Sequence, residues 1–347
     1  MRFALTAEQH DFAASLRKLG EAAKTPGVVR AWGTGDSTAG RALIGQLAEA
    51  GALGLTTSED NGGFGAGPVE LIVAFTELGR SATPGPLVET AAAIPALLQA
   101  LPDSTLAAER LPELAEGAKL GTLAVTTAGG ANAGRSNGTA TALDADIADL
   151  VLIAEGDRIS LGTAGDLVTS VDAARRLFTV RPGEVLAEGE GVSAAIDLAF
   201  DTGALAAAAQ LLGAGRALLD TSVDYVKQRQ QFGTPIGRYQ AIKHHLANAL
   251  IALEMAQPLL YRAALTLESD ADAQTRARDI AAAKLACGEA AYRTARIALQ
   301  VHGAIGYTAE FDLSLWLTKV TALRSAWGTP AEHRARIATA LRAGNAA

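Results

Sequence analysis

One stretch of the chain combines residue types that suit the binding of a diphosphate. Gly233 and Pro235 predict the end of a helix and place Arg229 in its last turn. A guanidinium at such a helix end can bind a diphosphate through two parallel hydrogen bonds, which an ammonium does less well. Phe232 adds a flat apolar face beside it. The alternative interpretation is an exposed arginine that hydrogen-bonds to helix-terminal carbonyls, with Phe232 as a core residue.

Two other features that could do chemistry have simpler structural explanations. Cys287 is the only cysteine, so it can form no internal disulfide, and no zinc-ligand spacing is present. Its Ala-rich surroundings predict a packed position on a helix. The glycine-rich segment Ser58–Gly65 could cradle a phosphate, but Glu59 and Asp60 precede its glycines. We therefore predict a tight turn between helices there, and no metal site.

Composition excludes some classes of partner. Lys and Arg number 30 against 37 Asp and Glu, the formal net charge is −7, and no dense basic cluster offsets it, so a nucleic-acid partner is not expected. The N-terminal residues lack the uninterrupted apolar core of a signal peptide. The apolar run Gly203–Gly215 carries Gln210 and is too short to span a bilayer. These observations predict a soluble, cytoplasmic protein.

The elements that must position the candidate residues fall into three stretches. The first is helical and starts with a capping signal at Thr6. Short apolar or β-branched runs then predict a small β domain, at Thr122–Thr127, Leu150–Ala154, Arg158–Leu161 and Leu167–Val171. From about Thr202 helical periodicity returns and predicts an antiparallel bundle. The predicted fold is mainly α, with an N-terminal helical domain (1–118), a middle β domain (119–200) and a C-terminal four-helix bundle (201–347).

The run that begins at Arg229 resembles the signature of the acyl-CoA dehydrogenase family. That family carries the pattern Arg-x-x-Phe-Gly-x-x-(Ile/Leu)-x-x-(Phe/His)-Gln-x-(Ile/Val). The positions that match are Arg229, Phe232, Gly233, Ile236, Gln240 and Ile242, with Tyr239 at the aromatic position. Three further stretches resemble the family in the same order, namely Leu5–Phe12, Leu47–Gly65 and Gln300–Tyr307. The resemblance covers nearly the full chain and is weakest in the middle.

The resemblance implies a flavoprotein of lipid metabolism that is usually tetrameric. Family members remove two hydrogens across Cα–Cβ of an acyl-CoA thioester; a glutamate takes the α proton and FAD accepts the β hydride. They share the order of helical domain, β domain and four-helix bundle. The flavin diphosphate and adenine contacts that a neighbouring subunit contributes match Arg229, Gln231, Phe232, Gln300, Gly303 and Ala304, where Ala304 replaces a glycine.

The catalytic glutamate of the family does not carry over to this chain. It lies in a Tyr-Glu-Gly-Thr stretch that matches Ala326–Thr329, so Trp327 stands in its place and cannot accept a proton. Some members hold the base on an earlier bundle helix, at the position of Gly203 here, with Asp201 as a carboxylate nearby but off register. Other nearby candidates are Glu310, Glu332 and His302, each better explained as a turn, surface-helix or helix-end residue.

The middle domain departs from the family as well. A Thr-Glu-Pro-x-(Ala/Gly)-Gly-Ser-Asp loop touches flavin and substrate in the family, and its counterpart here is Val125–Gly134. That segment lacks the Glu, the Pro and the Ser-Asp pair. The Trp-(Ile/Val)-Thr strand that flanks the flavin ring is not recognisable.

Three hypotheses follow from these matches and losses. In the first, the chain is one subunit of a hetero-oligomer, as in the actinobacterial steroid-degrading heterotetramers that it resembles. It would contribute FAD contacts to a site whose glutamate comes from a partner chain. In the second, the chain is a self-sufficient acyl-CoA dehydrogenase with a relocated base. In the third, it is a non-catalytic scaffold subunit that has kept the fold for assembly.

Overall fold

Helices build the N-terminal third of the chain in the computed structural model, which describes residues 4–127, 132–133, 135–136, 139–308 and 310–344. The predicted capping signal starts the first helix, because the Thr6 hydroxyl accepts from the Gln9 backbone N–H at 3.2 Å and the Gln9 side chain accepts from the Thr6 N–H at 2.9 Å. The helices are α1 (Ala7–Ala22), α2 (Thr25–Gly33), α3 (Thr38–Glu49), α4 (Pro68–Arg80), α5 (Ile94–Gln99) and α6 (Thr105–Ala115). A π-helical segment, Glu89–Ala93, runs directly into α5.

The glycine-rich segment between α3 and α4 is a tight turn, as predicted. It contains a 3₁₀ turn at Glu59–Asn61, and Gly62 has a positive φ of 80°. A Cβ added at Gly63 would lie 2.2 Å from the Thr57 carbonyl oxygen. The backbone at this point therefore packs against its own chain, which explains the glycine without a phosphate.

A mixed sheet follows the N-terminal helices, with strand order β2-β1-β5-β6-β7-β4-β3. Among the described residues, β1 and β5 are the one parallel pair of this sheet, and its other pairs are antiparallel. The strands are β1 (Gly121–Thr126), β2 (Asn132–Ala133), β3 (Arg135–Ser136), β4 (Thr139–Leu143), β5 (Leu150–Glu155), β6 (Arg158–Val168) and β7 (Leu177–Glu188). In the loop matched to the flavin-contacting segment Val125–Gly134, residues 128–131 and 134 lie outside the described residues.

The sequence pattern located three of these seven strands and missed the short strands β2, β3 and β4 and the longest one, β7. The runs predicted at Thr122–Thr127, Leu150–Ala154 and Arg158–Leu161 correspond to β1, β5 and the start of β6. The run at Leu167–Val171 is not a separate strand, because β6 continues to Val168. Strand β7 contains Arg-Pro-Gly-Glu at residues 181–184, a sequence typical of a turn. It is accommodated in the strand because the pairing of β7 with β6 shifts register at this point.

The C-terminal half is a helical bundle built around one long helix. Its helices are α7 (Glu190–Gln228), α8 (Gln240–Glu268), α9 (Ala273–His302), α10 (Leu313–Ser325) and α11 (Pro330–Gly344). Helix α7 packs against α4, α8, α9 and α10, and its central alanines are fully buried. Within the described residues, α7 is the one helix long and apolar enough to cross a membrane, and 78% of its apolar window is buried. That burial is typical of the core helix of a bundle.

The predicted order of helical domain, β domain and helical bundle is confirmed. The boundaries at residues 118 and 200 stay a prediction, and helix α7 begins before the second of them, at Glu190. Hydrogen bonds join the bundle to the N-terminal domain: Trp316 Nε1 donates to the Arg80 carbonyl at 2.9 Å, and Lys319 Nζ donates to the Thr83 carbonyl at 2.7 Å. The first and last thirds of the chain therefore share one packed interior.

Candidate functional site

The Arg229 motif forms a short hairpin that projects from the end of α7. The helix ends at Gln228, and Arg229 is its C-cap with an extended ψ of 121°, one residue beyond the predicted last turn. Strands β8 (Gln230–Gln231) and β9 (Thr234–Pro235) pair antiparallel across a two-residue turn. Both turn residues have positive φ, 52° at Phe232 and 77° at Gly233, as a type I′ turn requires. The Phe232 ring is 92% exposed, so it is not a core residue of this chain.

The base of the hairpin is anchored on the bundle core. Ile236 is buried in a small apolar cluster with Val226 of α7 and Val301 of α9. Its N–H donates to the Arg229 carbonyl at 2.8 Å. A Cβ at Gly237 would lie 3.0 Å from the Val226 carbonyl oxygen, so a glycine is favoured there. These contacts hold the hairpin against the C-terminal ends of α7 and α9.

The end of α9 carries the other predicted cofactor contacts. Gly303 ends the helix with a φ of 65° and starts the 3₁₀ turn Gly303–Tyr307. The preceding residue, His302, is buried and stacks on Tyr225 with ring centroids 4.2 Å apart. Its Nδ1–H donates to the Ala298 carbonyl at 2.7 Å, and burial lowers the pKa of the imidazole. His302 therefore joins the ends of α7 and α9 as a neutral packing residue.

The residues predicted to contact the cofactor lie in two neighbouring loops at the same end of the bundle. The hairpin provides three of them and the α9 terminus provides the rest. All six are exposed to solvent in the single chain: Arg229, Gln231, Phe232, Gln300, Gly303 and Ala304. Together they form an outward-facing surface with one guanidinium, two side-chain amides and one aromatic ring. Their role as cofactor contacts stays a prediction.

Trp327 lies deep inside the protein, between α10 and α11. Its side chain is 2% exposed, and its φ of 55° is left-handed, which is unfavourable for a residue with a Cβ. A Cβ added at Gly203 would lie 2.3 Å from Trp327 Cζ3, so the indole lies directly on the backbone of α7. The Phe200 ring lies 6.2 Å from the indole between centroids. The two positions that the sequence resemblance matches to the family's base are therefore in contact here, and neither is a carboxylate; that match stays a prediction.

Glu89 is a buried carboxyl at this point that the motif comparison missed. It lies in the π-helical segment before α5, is 4% exposed, and has the Trp327 side chain as a polar neighbour that lowers its pKa. Burial raises the pKa of Glu89, and the charge of Arg175 opposes that shift. Its Oε2 has no hydrogen-bond partner among the described residues. The signal in the sequence was a lone charged residue within the apolar stretch 82–98.

Two of the other carboxylates considered as bases, Asp201 and Glu332, have structural partners. Asp201 is 1% exposed and is held by Arg336 at 2.5 Å and by Arg276 at 3.0 Å. These groups line a cleft of about 350 Å³ between α7, α9 and α11. Glu332 caps α11, where its carboxylate accepts from the Thr329 N–H at 2.6 Å. Glu310 is an exposed residue of the turn before α10.

Comparison with known proteins agrees with this architecture. The models of the acyl-CoA dehydrogenase N-terminal domain and C-terminal domain match residues 6–118 and 189–342. The acyl-CoA dehydrogenase IpdE2 of Mycolicibacterium smegmatis is 32% identical over 294 residues, which cover 83% of this chain and 84% of that protein.

Two solved structures share the fold. The ChsE4–ChsE5 complex from Mycobacterium tuberculosis has a TM-score of 0.83 at 22% identity and covers 99% of both chains. A glutaryl-CoA dehydrogenase from Mycobacterium smegmatis in complex with FADH2 has a TM-score of 0.81 at 20% identity, covering 98% of this chain and 95% of that one. Since both domain models match and a relative 32% identical is covered over 84% of its length, the chain belongs to the acyl-CoA dehydrogenase family of oxidoreductases.

Proposed function

We propose that the chain is a subunit of an FAD-dependent acyl-CoA dehydrogenase whose working site is completed by a partner chain. One observation carries the proposal: the positions matched to the family's base are occupied by Gly203 and by a buried Trp327, whereas Arg229, Gln231 and Phe232 of the hairpin are exposed. The chain thus lacks a base at either usual position but presents a cationic and aromatic surface to a neighbour. The partner would supply the glutamate that takes the α proton of the acyl-CoA.

The exposed loops fit the diphosphate and adenine end of FAD. Arg229 supplies parallel donors for a diphosphate, Gln231 and Gln300 supply amide donors and acceptors, and Phe232 offers a face for a flat ring. Gly303 and Ala304 leave room for close approach at the end of α9. FAD supplies the hydride acceptor when bound. A structure of a family member, the glutaryl-CoA dehydrogenase, carries FADH2.

Exposed apolar residues support a partner chain. Ile251, Met255 and Leu259 follow one another at four-residue spacing on α8, so they share one face of the helix, and all are exposed. Together with Phe232 they leave apolar surface that a stable interface would cover. The fold neighbour ChsE4–ChsE5 is a complex of two chains. We infer a hetero-oligomer with a second family member, with a tetramer as the expected size; a steroid-derived acyl group stays a prediction.

The decisive experiment compares flavin content with and without a partner. The chain is purified alone and after co-expression with a candidate family partner, and the visible spectrum is recorded before and after addition of acyl-CoA. We expect flavin absorbance and acyl-CoA-dependent bleaching only in the complex. Yellow colour and bleaching in the chain alone would contradict the proposal and favour a self-sufficient enzyme.

Arg229→Ala tests the diphosphate contact directly. Loss of a charge-assisted bidentate contact costs about 2 kcal/mol, or about a 30-fold loss of FAD affinity in the complex. Arg229→Lys keeps the charge without the fork and is expected to lose less. Lys227→Ala removes one positive charge from the last turn of the same helix and serves as the control. Equal flavin retention in Arg229→Ala and Lys227→Ala would exclude this role for Arg229.

A self-sufficient enzyme is the second candidate, and Glu89 is the observation that favours it. It is a buried carboxyl with a raised pKa beside the indole that replaces the family's glutamate. A general base for α-proton abstraction benefits from such a raised pKa. This candidate requires the indole to leave, because the side chains of Glu89 and Trp327 are both closed off from solvent.

A further inference from the structure

We infer that the chain fills its own acyl cavity, with the Trp327 indole as a built-in substitute for a ligand and Glu89 as the residue that anchors it. The inference deepens the proposed function and rests on it only for the identity of the cavity. The contacts themselves stand on their own. They involve three separate parts of the chain: the π-helical segment, α7, and the turn between α10 and α11.

The backbone around Trp327 is arranged to aim the indole inward. Both Trp327 and Gly328 have positive φ, 55° and 94°. Holding a tryptophan in the left-handed region costs on the order of 1–2 kcal/mol, so tertiary contacts must hold it there. One such contact is the bond from His333 Nε2 to the Trp327 carbonyl at 2.9 Å. A Cβ at Gly328 would lie 2.6 Å from that nitrogen, so this side chain fits only beside a glycine.

The indole of Trp327 lies between α7 and the π-helical segment, and Glu89 is the polar residue of that segment beside it. Glu89 is buried within a π-helical segment, an irregularity that occurs frequently at functional sites. The Trp327 side chain interacts with this carboxyl and lowers its pKa against the effect of burial, and the N–H is the one donor that an indole has. Gly203 on the other side leaves room for the flat ring and for nothing larger than a hydrogen of its own. The space therefore has a shape and a polar anchor that match an N–H aromatic ring.

An acyl group cannot enter while this ring is in place. The indole is closed off from solvent, and it covers Gly203 and contacts Glu89. In a complex with a catalytic partner, one of the two unlike chains would thus contribute no acyl site.

Removal of the indole is expected to create a binding site. Glycine suits the φ of residue 327, so Trp327→Gly deletes the ring without adding backbone strain. The vacated space is on the order of the 150 Å³ cavity that binds benzene in an engineered protein. We expect the variant to unfold at a Tm several degrees lower than the wild type. Indole at saturating concentration is expected to restore most of that loss, and 1-methylindole, which has no N–H, to restore less.

Trp316→Gly is the matched control. Trp316 also donates its indole N–H to a protein acceptor, the Arg80 carbonyl at 2.9 Å, but it is half-buried and its space opens to solvent. We expect no rescue of this variant by indole. Equal responses of the two variants, or no response of Trp327→Gly, would overturn the inference.

A second measurement needs no cavity variant and covers the case in which Trp327→Gly does not fold. Octanoyl-CoA is dialysed to equilibrium against the wild-type chain alone and against Glu89→Gln. We expect no saturable binding to either. Binding to the wild type that weakens tenfold or more in Glu89→Gln would overturn the inference and identify Glu89 as a substrate contact. The flavin content of the co-expressed complex is measured separately. An error in the inference about Trp327 and an error in the proposed function therefore give different results.

Discussion

At the scale of single residues, Asp201 is a buried carboxylate that ion pairs with two arginines make unavailable as a catalytic base. It is almost fully buried, and its two oxygens accept from Arg276 at 3.0 Å and from Arg336 at 2.5 Å. The Arg336 guanidinium also lies over the Phe200 ring, 4.9 Å from its centroid. Each of the two Asp201 oxygens is therefore engaged by a guanidinium group, which holds the carboxylate in place as an ion-pair partner.

We therefore predict a structural role for Asp201. Asp201→Asn removes the negative charge between two guanidinium groups and is expected to lower the free energy of unfolding by about 3 kcal/mol. Asp197→Asn, one turn earlier on α7, is the control; burial raises the pKa of Asp197, so loss of its charge is expected to cost little. Urea unfolding of the three proteins checks this. Unchanged stability together with lost turnover in the complex would make Asp201 a catalytic candidate again.

At the scale of elements, the β8–β9 hairpin uses a residue that its turn type disfavours. The first position of a type I′ turn requires positive φ and is usually Asn, Asp or Gly, yet Phe232 holds a φ of 52° there with its ring in solvent. The exposed Phe232 ring does not compensate for the unfavourable backbone conformation within this chain. A residue that violates a local backbone preference in this way is typical of a functional site. The proposed contact with FAD and a partner would explain it.

Phe232→Asn separates the backbone requirement of the turn from the proposed contact of the exposed ring with FAD and a partner. In the chain alone we expect a stability gain of several tenths of a kcal/mol, because asparagine fits the turn. In the co-expressed complex we expect lower flavin retention, because the exposed ring is lost. Phe64→Asn removes another exposed ring, in the N-terminal domain, and is expected to leave flavin retention unchanged. A Phe232→Asn complex that retains all of its flavin would contradict the prediction.

At the scale of the whole molecule, a buried carboxyl links the N-terminal domain to the sheet. Asp144 follows β4, is fully buried, and accepts from Trp32 Nε1 of α2 at 2.9 Å. Burial raises the pKa of Asp144 to about 7, an effect that Asp146 reinforces and that the Trp32 bond, Arg176 and Arg175 oppose. Between its unfolded value near 4 and about 7, the folded state keeps a proton that the unfolded state has lost. The contribution of Asp144 to stability therefore falls as pH rises through this window.

Asp144→Asn is expected to stabilise the protein at pH 8 by about 2 kcal/mol and to change it little at pH 4.5. Asparagine keeps the acceptor for Trp32 and tolerates the φ of 51° at this position. The readout is the difference between variant and wild type at each pH. Two buried lysines also make the stability of the protein depend on pH. Burial lowers the pKa of Lys284 to about 7 and that of Lys319 to about 8, so both make stability rise with pH above those values. Because both proteins contain these lysines, their contribution cancels in the difference between variant and wild type. A difference that does not grow between pH 4.5 and pH 8 would contradict the assignment.

The sequence by itself determined the order of domains and the capping of α1, and it predicts the loss of the family's glutamate. These features depend on spacing over a few residues, or on residue identity within a contiguous motif such as the one that begins at Arg229. It failed at β7, because a strand containing Pro and Gly is stabilised only by its pairing with β6.

Only the tertiary structure decided what surrounds the position that the sequence matches to the family's glutamate. Glu89, Gly203 and Trp327 are far apart in the chain, and no local pattern relates them. Their contact arises because α7 packs against the π-helical segment on one side while the turn after α10 closes over it. The burial of an indole, the shift of the Glu89 pKa and the pairing of Asp201 all depend on that packing, since desolvation and charge proximity exist only once the elements have come together.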